Sequence, residues 1–133
     1  MAISTFPLSH QQVSIVEDDV DLLDAIRFSL AAEGYTVRAH ESARAMLADP
    51  HVGATTCFVV DQKLPDGDGI DLITELRGRG LASAAIMITT NPDARARAAC
   101  RALGVPIVEK PLLGESLNAC IRGILARPAP QPG

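Results

Sequence analysis

The chain has 133 residues, of which 47% are hydrophobic and 3% aromatic, and its formal net charge is −4. One domain of ordinary size fits this length, and the apolar fraction is sufficient for a core that needs neither disulfides nor a structural metal. The negative charge argues against a nucleic-acid-binding domain, because such domains usually carry a basic surface for phosphates.

The N-terminal segment and the cysteines indicate the location of the protein. Residues 1–11 lack a positively charged start and an apolar stretch, so we expect a flexible lead-in and no signal peptide. No run approaches the roughly 18 apolar residues that a membrane span needs. Cys57, Cys100 and Cys120 match no zinc or redox motif and are expected to be small apolar residues in a reducing environment. These features predict a cytoplasmic protein without membrane association.

Five short apolar runs alternate along the chain with five segments of helical character. Two of the runs, CFVV and AIMI, are continuously apolar, which is typical of strands covered on both faces. Strict alternation predicts an α/β fold with a parallel sheet, helices on both faces and right-handed crossovers. The runs lie at 13–16, 35–39, 57–60, 85–88 and 105–108.

The first three helices are predicted from apolar stripes and from stop signals. Gly34 is expected to end the first helix, Ser42 to cap a short second helix that ends before Pro50, and Gly78 to end the third. The stripe of the first helix consists of Leu22, Ile26 and Leu30. The stripe of the third consists of Ile70, Ile73 and Leu76.

The fourth helix has the clearest start signal. Asn91, Pro92 and Asp93 predict a cap, a proline at the first helical position and an acid in the first turn. The helix is expected to run to Gly104 and to be the loosest packed, because its inward residues would be mostly alanine. Those residues are Ala94, Ala98 and Ala102. The fifth helix carries a stripe made of Leu113, Leu117, Ile121 and Leu125. Residues 127–133 predict a proline-rich disordered tail, which leaves the folded domain over 12–126.

Side chains that can take part in catalysis or ligand binding follow four of the five predicted strands. Ligands of open parallel sheets bind beyond the carboxyl ends of the strands, so these side chains are expected to converge on one crevice. They are Glu17 and Asp18 after the first strand, Asp61 after the third, Thr89 after the fourth and Lys110 after the fifth.

The residue types in this set favour phosphoryl chemistry. Three carboxylates in one crevice raise a pKa unless a cation binds, and Mg²⁺ prefers such oxygen ligands. Zinc is disfavoured because the set contains neither His nor Cys. Lys110 and Thr89 offer a positive charge and a hydroxyl donor to phosphoryl oxygens. A carboxylate nucleophile beside Mg²⁺ and lysine predicts an aspartyl phosphate.

Four short motifs together resemble the receiver domain of bacterial response regulators, over residues 13–125. Each motif alone is common, but all four in this order, each after a predicted strand, are specific. They are V-E-D-D at 16–19, V-V-D-Q-K-L-P-D-G-D-G at 59–69, I-T-T at 88–90 and E-K-P at 109–111.

The resemblance implies a flavodoxin-like, doubly wound (βα)5 three-layer sandwich with sheet order 2-1-3-4-5, and it implies roles for individual residues. Asp61 would be the phosphoacceptor. Mg²⁺ would be bound by Asp18 directly, by Glu17 through water and by Asp61, with the backbone carbonyl of Lys63 as a further ligand. In the same family pattern, Thr89 would be the switch hydroxyl. Lys110 would pair with the phosphate and precede a cis Pro111.

This chain departs from the family pattern at two positions. Thr90 stands where Ala or Gly is usual, and its bulk can crowd the acceptor and slow the entry of phosphodonors or water. Ile107 stands where Tyr or Phe is frequent, so an inward-swinging aromatic ring cannot report the signal. Lys63 and Asn91 occupy positions that tend to tune the lifetime of the phosphoryl group in this family.

Several charged residues have simpler interpretations. Asp19 and Asp21 are expected to favour the helix N-terminus, and Asp66 and Asp68 to serve the turn and the cap of the third helix. The histidines, His10, His40 and His51, are expected to lie on the surface. The arginines of the fourth helix, Arg95, Arg97 and Arg101, are expected to form a solvated face, with a docking surface as the alternative.

The sequence therefore predicts a stand-alone receiver that takes a phosphoryl group from a histidine kinase or a histidine phosphotransfer protein. It would change conformation to control a protein target, as a monomer or weak homodimer, without a DNA-binding segment. It would catalyse its own phosphorylation and dephosphorylation without being a turnover enzyme. A non-phosphorylated pseudo-receiver is the main alternative. A phosphohydrolase is disfavoured, because Lys63 stands where many such enzymes place a second aspartate.

Overall fold

The computed structural model describes residues 11–112 and 114–126. Its seven strands are β1 (Gln12–Val16), β2 (Thr36–His40), β3 (Cys57–Asp61), β4 (Lys63–Leu64), β5 (Gly67–Asp68), β6 (Ala84–Thr89) and β7 (Ile107–Glu109). Its five α-helices are α1 (Val20–Ala32), α2 (Ala43–Ala48), α3 (Gly69–Gly78), α4 (Ala94–Leu103) and α5 (Ser116–Leu125), and a 3₁₀ turn lies at Val52–Ala54. The predicted lead-in and tail, and Leu113 of the predicted fifth helix, lie outside the described residues apart from Gln11.

The main sheet has five parallel strands in the order β2-β1-β3-β6-β7. Because β6 and β7 are its fourth and fifth strands in chain order, the predicted order 2-1-3-4-5 and the flavodoxin-like α/β fold are confirmed. Strands β4 and β5 form a separate two-stranded hairpin directly after β3. In the sheet, Val16 lies opposite Val60 and Asp61 lies opposite Ile88, so the carboxyl ends of the central strands stand level.

Two hydrophobic clusters cover the two faces of the sheet. Strand β3 is buried along its whole length and alternates between them, with Cys57 and Val59 in one cluster and Phe58 and Val60 in the other. The first cluster takes the apolar faces of α1 and α5, and the second takes those of α2, α3 and α4. The layers are therefore helix, sheet and helix, as the continuously apolar strand runs predicted.

Most helix ends agree with the predictions. The Ser42 side chain accepts a hydrogen bond from the amide of Ala45 and caps α2, and Gly34 follows α1 with a φ of 103°. Helix α3 ends at Gly78 as expected, although the residue with positive φ is Gly80. Among the described helices, none has the length and the apolar character that crossing a membrane would require.

Helix α4 differs from its prediction in both start and face. The cap is Asp93, whose side chain accepts from the amide of Ala96, whereas Asn91 adopts a φ of 49° ahead of the helix. The three alanines expected to face inward are exposed. The stripe of Ala96, Cys100 and Leu103 is turned toward the core instead, because its larger side chains bury more apolar area than alanines do.

Candidate functional site

Four strand ends build one crevice at the carboxyl edge of the sheet. Strand β1 leads into Glu17 and Asp18, β3 and β6 end at Asp61 and Thr89, and Lys110 follows β7. The predicted convergence is confirmed, since all five line a cavity of about 300 Å³. The other residues that line it are Asp19, Lys63 and Thr90. Two further residues given a predicted role in the site, Asn91 and Ile107, lie outside this lining.

The crevice holds a cluster of three carboxylates. Oxygens of Glu17, Asp18 and Asp61 all lie within 4.8 Å of one another. Glu17 is 1% exposed and Asp61 is 5% exposed, whereas Asp18 is open to solvent. Burial, together with a hydrogen bond to Asp61, raises the pKa of Glu17 to about 7. Removing two carboxylates from water next to a third is unfavourable unless positive charge is close.

Lys110 supplies part of that positive charge. Its Nζ donates to both carboxylate oxygens of Glu17, at 3.3 and 3.1 Å, and to Oδ2 of Asp61 at 3.1 Å. Burial acts to lower the pKa of the Lys110 ammonium, but these hydrogen bonds outweigh burial and raise that pKa above its usual value. One ammonium among three carboxylates leaves a negative site. The donor set therefore fits a hard divalent cation such as Mg²⁺, which takes oxygen ligands.

The hydroxyl of Thr89 is directed to a residue that the sequence did not single out. Thr89 Oγ1 donates to Oε1 of Gln62 at 2.8 Å. The backbone of Gln62 is also held, since its amide donates to the carbonyl of Ile88 at 3.0 Å. The pairing of β3 with β6 could have indicated this contact, because the residue after Asp61 continues the register toward Thr89.

The chain approaches itself closely behind Asp61. The amide of Gly69 donates to the carbonyl of Gln62 at 2.7 Å, and a Cβ on Gly69 would collide with the backbone carbonyl of Asp61. Glycine is therefore required there on steric grounds. The peptide bond between Lys110 and Pro111 is cis, as predicted.

The positions expected to tune the site are spread around it. Thr90 is exposed at the cavity, and the amide of Lys63 lies 3.4 Å from Oδ1 of Asp61. Asn91 is exposed and begins the connection to α4. Ile107 is half-buried and packs against the cluster on the α3 and α4 side of the sheet, away from the cavity lining.

The prediction that His40 lies on the surface is wrong. His40 is 8% exposed, and its Nε2 lies 2.8 Å from Oδ2 of Asp49 while Nδ1 lies 3.0 Å from the carbonyl of Ile15. Arg38 donates two hydrogen bonds to the same Asp49, at 2.9 and 3.0 Å. These bonds from Arg38, with others from His51 and His40, hold the pKa of the Asp49 carboxyl well below its usual range. The acid partner of His40 comes from the end of α2, so spacing along the chain did not reveal it.

Other acids act as caps. Asp19 accepts from the amide of Leu22 and Asp68 accepts from that of Ile70, which confirms capping at α1 and α3. Asp66 differs from its prediction, because it accepts from the amides of Ala43 and Arg44 and so serves α2. The three arginines of α4 are exposed as expected, and Arg97 lies 3.4 Å from Glu109.

Comparisons with known proteins agree with this geometry. A sequence model of the response regulator receiver domain matches residues 13–122. The transcriptional regulatory protein FixJ of Azorhizobium caulinodans is 31% identical over 90% of this chain and 57% of its own length. The response regulator protein TodT of Pseudomonas putida is 30% identical over 90% of this chain and 52% of its own. The chain thus spans somewhat over half the length of these curated relatives.

Solved structures show the same fold. The receiver domain of HemR from Leptospira biflexa superposes with a TM-score of 0.84 at 21% identity, covering 92% of this chain and 99% of that one. A CheY-like receiver domain protein from Methanospirillum hungatei gives 0.79 at 25% identity, covering 85% and 91%. The chain therefore belongs to the response regulator receiver domains of two-component systems.

Proposed function

We propose that Asp61 accepts a phosphoryl group from a phosphohistidine of a sensor kinase or of a histidine phosphotransfer protein. The observation that carries the proposal is the Asp61 carboxylate itself. It is buried yet lines an open cavity, its Oδ2 is 3.1 Å from Nζ of Lys110, and it lies within 4.8 Å of two further carboxylates. A nucleophilic carboxylate beside a lysine and a cation-binding acid cluster suits phosphoryl transfer.

The transfer balances with these groups. An Asp61 carboxylate oxygen attacks phosphorus, the phosphorus–nitrogen bond breaks, and the electron pair returns to the imidazole of the donor, which takes up a proton. Glu17, Asp18, Asp61 and the backbone carbonyl of Lys63 would hold Mg²⁺, which when bound neutralises charge on the phosphoryl oxygens. Lys110 exchanges a carboxylate for a phosphoryl oxygen, and Thr89 donates its hydroxyl to another.

The same site would release the phosphoryl group slowly. Water attacks phosphorus, the bond to the Asp61 oxygen breaks, and inorganic phosphate leaves with the free carboxylate restored. Thr90 and Lys63, which line the cavity, and Asn91, which follows Thr90 outside the lining, are proposed to set the lifetime. The protein is accordingly a switch that catalyses its own modification, and not a turnover enzyme.

The partners follow from this proposal. The upstream partner carries a phosphohistidine, and the downstream partner is a protein that reads the altered conformation, with no nucleic acid or membrane and with the receiver as a monomer or weak homodimer in the cytoplasm. The competing arrangement is an attached output domain, since FixJ is a transcriptional regulatory protein of greater length. The mass of the native protein in its source cells distinguishes the two arrangements, because a stand-alone receiver has a mass of 14.0 kDa and a receiver with an output domain is larger.

The phosphoacceptor is tested with phosphoramidate and Mg²⁺, a donor with the same phosphorus–nitrogen bond. Intact-mass spectrometry is expected to show one added phosphoryl group on the wild type and none on Asp61→Asn. Asp71→Asn is the matched control, because it removes an exposed acid ten residues along the chain and is expected to react like the wild type. A wild type that stays unmodified would favour the pseudo-receiver, for which the bulk of Thr90 at the cavity is the supporting observation.

A further inference from the structure

We propose that Gln62 is a positioning residue that holds the hydroxyl of Thr89 in the resting conformation, and that Thr89 must release Gln62 before it can bind a phosphoryl group. The inference rests on the proposed function, because it concerns how phosphorylation at Asp61 changes the conformation. It assigns the first step of signal relay in a chain that has Ile107 in place of an aromatic ring.

The hydrogen bond between the two side chains is short and partly buried. Thr89 is 2% exposed, and its Oγ1 lies 2.8 Å from Oε1 of Gln62. The carbonyl of Thr90 is a second acceptor, but at 3.5 Å it is too distant to compete. A threonine hydroxyl has one hydrogen to donate, and the amide oxygen of Gln62 can only accept. The hydrogen of Thr89 is therefore committed to Gln62.

Gln62 is anchored and does not simply follow Thr89. Its amide donates to the carbonyl of Ile88 at 3.0 Å, and its own carbonyl accepts from the amide of Gly69 at 2.7 Å. The first bond ties Gln62 to β6 and the second ties it to the start of α3. These two hydrogen bonds fix the backbone of Gln62, so the position from which its side chain extends is also fixed.

A phosphoryl group on Asp61 would compete with Gln62 for the same hydrogen. A charged phosphoryl oxygen is a stronger acceptor than a neutral amide, so the hydroxyl turns toward Asp61 when the group is present. The bond to Gln62 and the bond to the phosphoryl group use the same hydrogen of Thr89, so only one of them can form at a time. The bond to Gln62 therefore lowers the affinity for the phosphoryl group by the same factor by which the phosphoryl group weakens the bond to Gln62. Removing the acceptor at position 62 must then favour the conformation in which Thr89 contacts the phosphoryl group.

The released side chain lies at a cleft between α3 and α4. Gln62 lines this cleft of about 360 Å³. Its other lining residues include Asp68, Ile70, Asp93, Arg95 and Ala96. Loss of the Thr89 hydrogen bond frees the Gln62 amide to contact groups in the cleft. The first change beyond the site is therefore expected there, and not at Ile107.

The test is a titration with beryllofluoride, which mimics the aspartyl phosphate, in the presence of Mg²⁺ and followed by amide NMR. Gln62→Leu removes the acceptor and is expected to bind beryllofluoride about two- to tenfold more tightly than the wild type. In a Thr89→Val background, which lacks the hydroxyl, the same Gln62→Leu change is expected to leave affinity unaltered. In the wild type, the side-chain amide signals of Gln62 are expected to shift on binding.

The outcomes separate this inference from the function on which it rests. A wild type that binds no beryllofluoride overturns the proposed function and this inference with it. A wild type that binds, with Gln62→Leu no tighter or equally tighter in the Thr89→Val background, overturns the role of Gln62 alone. If Gln62→Leu fails to fold, the wild-type measurement still decides: unshifted side-chain amide signals of Gln62 on binding contradict release.

Discussion

Two ionic clusters adjoin in the fold, one at the carboxyl edge of the sheet and one beside β2, and they differ in how well their charges are matched. In the first, named here the acidic cluster, one ammonium from Lys110 serves the carboxylates of Glu17, Asp18 and Asp61. In the second, named the Asp49 cluster, one carboxylate receives hydrogen bonds from the side chains of Arg38 and His40. The clusters are joined, since the amide of Glu17 donates to the carbonyl of His40 at 3.0 Å.

The pKa values record this difference. Burial raises the pKa of Glu17 to about 7 in the acidic cluster, whereas the hydrogen bonds of Arg38 hold the pKa of Asp49 far below its usual range. The Asp49 carboxylate is surrounded by hydrogen-bond donors and needs no further partner. The buried carboxyl group of Glu17 retains its proton near neutral pH because it lacks sufficient positive charge around it. Burial alone therefore does not mark a reactive site. Incomplete charge compensation beside an open cavity does so.

The largest expected effect on stability is on the Asp49 cluster. Asp49→Ala leaves Nε2 of the buried His40 and the part-buried amide of His51 without their acceptor and is expected to lower the free energy of unfolding by about 3 kcal/mol. Asp61→Asn, by contrast, removes one of three repelling carboxylates and is expected to change it by less than about 1 kcal/mol without Mg²⁺. Urea unfolding measures both. Equal losses in the two variants would contradict the distinction between the clusters.

The two clusters are expected to respond to pH with opposite sign. The lowered pKa of Asp49 stabilises the fold above the usual pKa of 3.8, and this contribution is lost as the pH falls further. The raised pKa of Glu17 means that the folded chain keeps a proton that the unfolded chain releases, so stability falls as the pH rises from 4.5 to about 7.

For Glu17 the decline is expected to be on the order of 3 kcal/mol. Unfolding in a chelator at several pH values measures it, with Glu17→Gln as the variant that should abolish the decline. An unchanged profile in Glu17→Gln would place the raised pKa on another group.

The fold and most of the site could be predicted because both depend on neighbours in the chain. Five apolar runs, each followed by a helix, predict the sheet, and a polar residue after a strand must lie at its carboxyl edge. This is why Asp61, Thr89 and Lys110 meet although they are far apart in sequence. Gln62 and His40 escaped prediction because their roles depend on partners from other elements, Thr89 and Asp49. The inward face of helix α4 was predicted wrongly because alanines recur on more than one side of the helix.

Mg²⁺ is expected to stabilise the acidic cluster alone. At ten times its dissociation constant, the ion is expected to raise the free energy of unfolding of the wild type by about 1.4 kcal/mol. Asp18→Asn is expected to lose most of this gain, because it removes the solvent-facing carboxylate that we propose as a ligand. Asp49→Ala is expected to keep it. Thermal unfolding with and without Mg²⁺ measures the three proteins, and an undiminished gain in Asp18→Asn would exclude that residue as a ligand.

The smallest effect is expected for an ion pair at the surface. Arg97 and Glu109 lie 3.4 Å apart and are about half exposed, at 48% and 54%. Exposed pairs contribute little because water and salt screen them. Arg97→Ala is expected to change the free energy of unfolding by less than about 0.5 kcal/mol, measured in urea. A loss of unfolding free energy as large as that of Asp49→Ala would show that solvent exposure does not distinguish this ion pair from the buried contacts of Asp49.

The most direct measurement is to locate the modified residue by chemical trapping. The protein is treated with phosphoramidate and Mg²⁺, the acyl phosphate is reduced with borohydride, and the resulting homoserine is placed by peptide mass spectrometry. Homoserine is expected at position 61, with no reduced carboxyl group elsewhere in the acidic cluster. Homoserine at position 18, the longer alcohol 2-amino-5-hydroxypentanoic acid at position 17, or a chain without any reduced carboxyl group would contradict the assignment of Asp61 as the phosphoacceptor.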